Sequence, residues 1–383
     1  MTINIKDIVS ARFQNPKFQY DGKRMRNLAV RKALDYSKYV LPLSLDVPHT
    51  TIFHRHAEHV SINKMRCPIN IVRFTPDGRR LISGTSTGEF TLWNSFSFNF
   101  ETILQAHESP VRGLEFTRLG DLLLSADTTG TVKFWHLSMN NVGIRQCHEE
   151  AIRDMSVADN YFVTASDDST VRVHNFEKNE CMILRGHNWD VRVAQYNPRS
   201  SLVASGGKDN LVKLWDTRTK RCVATMHCHK NTVLCARWID DMNLLTAGKD
   251  QVIKQSELRM LKDNFTYKCK KEVTALCVMN RCMDSSGIRS ARSANFLCNS
   301  EMRGDLFAAG MADGSIAHLQ VFNQNMSVVS GHESTVWSID YHPIGHLMAS
   351  GSMDQSVRFW SWRKKEVSEE VENNEERIPG LCY

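Results

Sequence analysis

Apolar and polar residues alternate over four to six positions at a time along most of this chain, as in VRVAQYNP, LVASGG and LVKLWD between 191 and 216. Turn formers separate one run from the next. Alternation with period two predicts short, half-buried strands, about four to each unit of pattern. The units repeat. GHNWDVRVAQYNPRSSLVASGGKDNLVKLWD from Gly186 and GHESTVWSIDYHPIGHLMASGSMDQSVRFWS from Gly331 align without a gap, and a third unit starts at His107 and ends in FWH around Trp135. Unit ends fall at Trp93, Trp135, His174, Trp215, Ser256, Leu319 and Trp360, spaced 42, 39, 41, 41, 63 and 41 residues, which makes seven units. The one long interval contains CMDSSGIRSARSANFLCNSEMRG, rich in Ser, Arg and Asn and without alternation, and reads as a loop inserted at about 281–303.

With this period, a His near the start of a unit and Trp-Asp near its end, residues from about 50 to 360 resemble the WD40 family. That resemblance implies an all-β fold, a seven-bladed propeller around a channel. It also implies that His, Ser or Thr, Asp and Trp within a blade form a hydrogen-bonded chain. The matching residues are His187, Ser205, Asp209 and Trp215, and again His332, Ser350, Asp354 and Trp360. A buried carboxylate needs compensation, and an imidazole between it and a hydroxyl provides donors and acceptors in order. Other units depart: Thr129 stands where the second unit's Asp is expected, His174 replaces Trp in the third, and the fifth and sixth lack Trp. Recurrence every forty or so residues marks these His and Asp residues as structural, since an enzyme needs one site and not seven. A closed ring needs a strand from elsewhere to complete its last sheet. The segment HTTIFHRH at 49–56, with β-branched and aromatic residues, is expected to pair into the seventh blade.

Composition adds charge to this picture. The 383 residues carry 48 Lys and Arg against 42 Asp and Glu, a net +6. Residues 1–40 alone hold nine cations against three anions, while 361–383 hold four against six. The chain thus divides into a basic N-terminal arm (1–48), the propeller (49–362) and an acidic tail (363–383). A basic arm fits a polyanionic partner. The apolar stretches are short and the N-terminus is charged where a signal peptide needs an apolar run, so a soluble, intracellular protein is expected. The eleven Cys are scattered without a CxxC pair, which argues for free thiols and against a structural zinc site.

Two stretches depart from the repeat: YDGKRMRNLAVRKALDY at 20–36, and STGEFTLWNSFSFNFETILQAHESPVR at 86–112 with its crowded Phe96, Phe98 and Phe100. Together with NKMRCPINIVRFTPDGRRLISG at 63–84 and MNNV at 139–142, they resemble the family of WD-repeat subunits of the cleavage and polyadenylation specificity factor. The quoted motifs are not positions that define the repeat. The resemblance implies a non-enzymatic nuclear subunit that helps recognise the AAUAAA signal of single-stranded pre-mRNA. Its partners would be a large multi-propeller scaffold subunit and a zinc-finger subunit, with no cofactor, membrane or small-molecule substrate. By the same resemblance Tyr20 and Phe100 would sandwich a Hoogsteen U·A pair. Lys23, Arg24, Arg26 and Arg31 would contact RNA, and Lys64 and Ile103 would lie near the bases. Ile62 stands where that family tends to have Thr, and the stretch after Tyr36 is short. Two π faces suit a flat base pair, stacking contributing about 1–3 kcal/mol per base, and arm cations would make affinity fall with salt. The competing reading is a scaffold that never touches RNA. No nucleophile elbow, P-loop or non-repeating His/Asp/Glu cluster favours an enzyme.

Overall fold

The computed structural model describes residues 53–279 and 306–361, apart from 64–65, 118, 159, 177–179, 198–199, 322 and 344. The stretches 1–48, 281–303 and 363–383 lie outside the described residues. Seven four-stranded antiparallel sheets follow one another along the chain. Six are continuous: blade 1 from Ile69 to Gln105, blade 2 from Val111 to Gln146, blade 3 from Ile152 to Arg185, blade 4 from Val191 to Met226, blade 5 from Val233 to Lys268 and blade 6 from Val273 to Ser330. Blade 7 takes three strands from Val336 to Ser361 and its outer strand from His56–Ile62. No helix occurs among the described residues.

The seven unit ends read from the sequence occupy one structural position. Each lies on the third strand of its sheet and pairs with the residue twelve before it, as Trp93 does with Leu81, Trp215 with Val203 and Leu319 with Phe307. All seven are buried. Five residues before each lies a left-handed turn residue, a glycine at 88, 130 and 314 and a polar residue at Ser169, Asn210, Gln251 and Gln355. At Gly88 a side chain is impossible without rearrangement, because a Cβ would sit 2.1 Å from the His107 carbonyl oxygen.

The core is not one cluster but seven, each in the seam between neighbouring blades. Ile82, Phe90 and Leu92 of blade 1 pack on Leu123 and Trp135 of blade 2. Val357 and Phe359 of blade 7 pack on Leu81 and Trp93 of blade 1, which closes the ring. A sheet with both faces buried reads as an apolar run, and this is why the second strands carry stretches such as LLLSAD.

Ring closure differs from expectation in its register. The closing strand is His56–Ile62, antiparallel to the last strand, with His56 opposite Ser361 and Ile62 opposite Ser356. Of the expected 49–56, the structure describes 53–56, and of these His56 alone takes part. Phe53 and His54 are spent on burial instead: Phe53 stacks on His318 at 5.7 Å, and His54 meets Tyr341 edge-on at 5.4 Å. The apolar content that marked this segment as a strand thus serves as a plug between blades 6 and 7.

Candidate nucleic-acid interface

At the His/Asp positions, geometry separates a structural role from a chemical one. In blade 4 the His187 Nδ1 lies 2.8 Å from Asp209 Oδ2, its Nε2 2.7 Å from Ser205 Oγ, and Trp215 Nε1 donates to that oxygen at 2.8 Å. A carboxylate only accepts, so Nδ1 carries the imidazole proton and Nε2 receives the Ser205 proton. Burial depresses the His187 pKa despite the adjoining carboxylate, which keeps the ring neutral as this order requires. Blade 7 repeats the chain with His332, Asp354, Ser350 and Trp360 at 2.8, 2.6 and 2.8 Å. Burial opposes ionisation of Asp354, but hydrogen bonds from His332 and Ser356 overcome it and hold the carboxyl well below its usual range. Each chain ends on an indole that is 2% exposed.

Blade 2 corrects the sequence reading. Its carboxylate is present, supplied by Asp127 at 3.0 Å from His107 Nδ1, while Thr129 donates to Asp127. An alignment at constant offset from His picks Thr129, whereas the carboxylate reaches the ring equally well from two residues earlier. Blades 3 and 5 keep the His–Thr–Asp part through His148, Thr164 and Asp168, and through His229, Thr246 and Asp250.

The aromatic departures sit on the rim where blade 1 meets the closing strand. Phe100 opens the outer strand of blade 1, Phe100–Gln105, and is 47% exposed, so it is a surface residue and not part of a seam. Three residues apart on a regular strand, Phe100 and Ile103 would face opposite ways. A bulge prevents this: Phe100 pairs with Trp93 and Ile103 with Thr91, two residues of the same face, while the register skips Glu101. Phe100 and Ile103 therefore share a face, the one Trp93 turns toward blade 7. Glu101 is held aside by Arg80 at 2.6 Å and Asn94 at 3.0 Å.

Phe98 links this strand to the closing one. With φ of 58°, it packs on Phe359 at 4.7 Å and stacks on His59 at 5.7 Å, and Ser61 donates to its carbonyl. Ile62, at 63%, and Val60 remain exposed on the closing strand. The two chain regions, forty residues apart, meet through Phe98, His59 and Ser61, whereas Val60 and Ile62, opposite Arg358 and Ser356, lie on the other face of the closing strand. Of the sequence-derived RNA residues, the structure describes Phe100 and Ile103. Tyr20, Lys23, Arg24, Arg26, Arg31 and Lys64 lie outside the described residues.

Sequence reading missed a second feature. Arg112, Arg153 and Arg192 each stand one residue into the first strand of blades 2, 3 and 4, and line the same end of the channel. Their recurrence in VRG, IRD and VRV at the unit spacing was the available signal. Among the described residues, no group of three or more His, Cys, Asp or Glu is placed to hold a metal ion. No described helix is long and apolar enough to cross a membrane.

Comparison with known proteins agrees with the architecture. The WD domain, G-beta repeat family matches residues 98–136, 139–175, 178–216, 220–255 and 323–361. A polyadenylation factor subunit 2 of Neurospora crassa is 38% identical over 336 residues, covering 82% of this chain and 50% of that protein. The Gibberella zeae protein of the same name is 40% identical over 316 residues, covering 79% and 52%. The Schizosaccharomyces pombe one is 37% identical, covering 79% and 62%. The chain spans about half the length of the first two of these relatives. The crystal structure of the WD40 beta propeller domain of Doa1 superposes with a TM-score of 0.68 at 17% identity, over 81% of this chain and 97% of that one, a likeness of fold.

Proposed function

Since the chain belongs to the WD40-repeat family and is similar along four-fifths of its length to proteins named polyadenylation factor subunit 2, we propose that it is a non-enzymatic subunit of the polyadenylation machinery that helps bind the AAUAAA signal. The observation that carries the RNA part is Phe100, a large aromatic left 47% exposed on the outer strand of blade 1 beside Ile103, whereas Trp93, Trp135, Trp215 and Trp360 of the third strands are buried. A flat π face on a rim suits a base or base pair better than it suits water. In this reading Tyr20 from the arm closes the sandwich from the other side. Lys23, Arg24, Arg26 and Arg31 hold phosphates, and Lys64 lies near the bases. In this reading the protein acts in the nucleus, where pre-mRNA is processed, with a multi-propeller scaffold and a zinc-finger protein as partners.

The test is a competition titration of the assembled complex at one salt concentration, with AAUAAA RNA and a hexamer in which U is changed to G. Phe100→Leu and Tyr20→Leu each weaken AAUAAA binding by about 1–3 kcal/mol, and together erase most of the preference. Equal weakening of both RNAs refutes the sandwich. A scaffold that never touches RNA is the second reading, favoured by Val142 and Ile144, each 63% exposed on the outer strand of blade 2. Wild-type affinity in the double variant would decide for it.

A further inference from the structure

We propose that the channel mouth at the end where the first strands begin is a binding site for a phosphate monoester carried on a protein segment. Arg112, Arg153 and Arg192 form one side of a recess of about 220 Å³, and Leu234, Thr274 and Trp337 from blades 5–7 form the other. Three cations from consecutive blades face a wall that is apolar at Leu234 and Trp337 and polar at Thr274.

Deeper in the channel, positive charge is matched. Arg73 bonds Glu115 at 2.5 Å and Asp340 at 3.4 Å, and Arg237 lies 3.7 Å from Asp154. At the mouth the matching is incomplete. Arg153 pairs with Asp167, and Arg192 bonds Asp190 at 2.9 Å with Asp167 3.8 Å away. Arg112 has no hydrogen bond or ion pair among the described residues, and its Nε is buried without a partner. Its guanidinium lies over the Trp337 ring, 5.7 Å from the centroid. Burial, then repulsion from Arg153 and Arg192, pulls the Arg112 pKa below the usual arginine range. A charged guanidinium that is partly buried and crowded by two others is stabilised by an anion that enters between them.

The surroundings select among anions. Exposed Glu108, Glu149, Glu150 and Glu333 follow the tetrad histidines on the loops that lead into these first strands. Beside the arginines they repel an extended polyanion, while exposed Lys230, Lys270 and Lys271 hold the matching places before blades 5 and 6. A compact dianion entering the recess meets the arginines and bypasses the glutamates. Beside it Trp189, 58% exposed with Lys208 over its ring at 5.5 Å, gives a flanking peptide side chain an apolar seat.

The experiment measures anisotropy with the full chain and two labelled peptide libraries, degenerate around a fixed phosphoserine or a fixed serine. The phosphoserine library binds tighter by about tenfold or more, as gain of charge-assisted pairs implies. Millimolar inorganic phosphate displaces it. Arg112→Gln loses about tenfold and Arg112→Lys, which keeps the charge without the fork, falls between, with melting temperatures showing both folded. Four results overturn the proposal: equal binding of the two libraries, undiminished binding by folded Arg112→Gln, displacement by random single-stranded RNA at the concentrations at which the phosphoserine library competes, or binding of inorganic phosphate without either library.

Discussion

Blades 4 and 6 fill the same volume in opposite ways. Blade 4 runs a polar chain from Asp209 through His187 and Ser205 to Trp215. In blade 6 the positions of His, Ser and Trp hold Cys269, Ala309 and Leu319, all buried in one apolar cluster with Phe307 and Ala317. Asp313 persists at the Asp position but bonds the Ser315 backbone at 3.0 Å in its own turn. Both blades keep the strand register, the left-handed turn and the seam. The polar chain is therefore one solution to filling a blade and not a condition for forming one. Buried polar networks can be exchanged for apolar packing, but not half-exchanged, because a single orphaned group costs its full desolvation.

The largest effect expected on this contrast is Trp215→Ala, which empties the blade 3–4 seam and strands Ser205. It should cost about 3–5 kcal/mol in urea unfolding. Breaking the chain at its other end is milder: Asp209→Ala should cost about 1–3 kcal/mol. A double-mutant cycle with Ser205→Ala should show a coupling of about 0.5–3 kcal/mol, the two losses together being less than their sum. Strict additivity would mean that the chain does not act as a unit.

Blade 3 stands between the two solutions and adds a pH dependence. His174 occupies the Trp position, stacks on Phe162 at 4.7 Å and has a buried, unpartnered Nε2. Burial, and then the charges of His148, Arg145 and Arg172, lower its pKa to about 3 from the ordinary 6.5. The unfolded chain then binds the extra proton between those values. Stability from this site is full above pH 6.5 and falls as pH drops toward 3, by about 1.4 kcal/mol per pH unit. His174→Leu, which carries the blade 6 solution into blade 3, should flatten the urea midpoint against pH by that amount. An unchanged slope would place the sensitivity in the other buried histidines, His54, His318, His342 and His346. The smallest effect concerns Cys269, whose thiol burial pushes up to about 11. At pH 8 iodoacetamide should label exposed Cys222 and leave Cys269 untouched until the protein unfolds, as peptide mass mapping would show.

What recurs was legible, and what happens once was less so. Seven unit ends, from Trp93 to Trp360, could be read because each repetition checked the others, even where His174, Ser256 and Leu319 had replaced Trp. Asp127 was missed because the alignment fixed an offset that side-chain reach does not respect. Phe53 and His54 look like strand residues, and only their ring contacts with His318 and Tyr341 make them a plug. At the rim, Phe100 and Ile103 were picked out by resemblance to a family. Their shared face depends on a bulge, which alternation cannot signal. The arginines of the channel mouth were readable in principle. Arg112, Arg153 and Arg192 lie within the repeat, so a departure from the pattern does not mark them.

The closing strand has a consequence for how this protein is made. His56 pairs with Ser361, so the first described strand of the chain meets its partner only when the last has been synthesised. Blades 1 to 6 can each close from contiguous chain as they leave the ribosome. During that time His56–Ile62 waits as an unpaired edge, with Ile62 and Val60 exposed, and the seam between Trp93 and Phe359 stays open. Joining contacts some three hundred residues apart carries a large loop-closure entropy and makes the final step slow. Nascent chains stalled before Val336 should therefore be protease-sensitive at 56–62 and prone to pair with one another, whereas released chains should be neither.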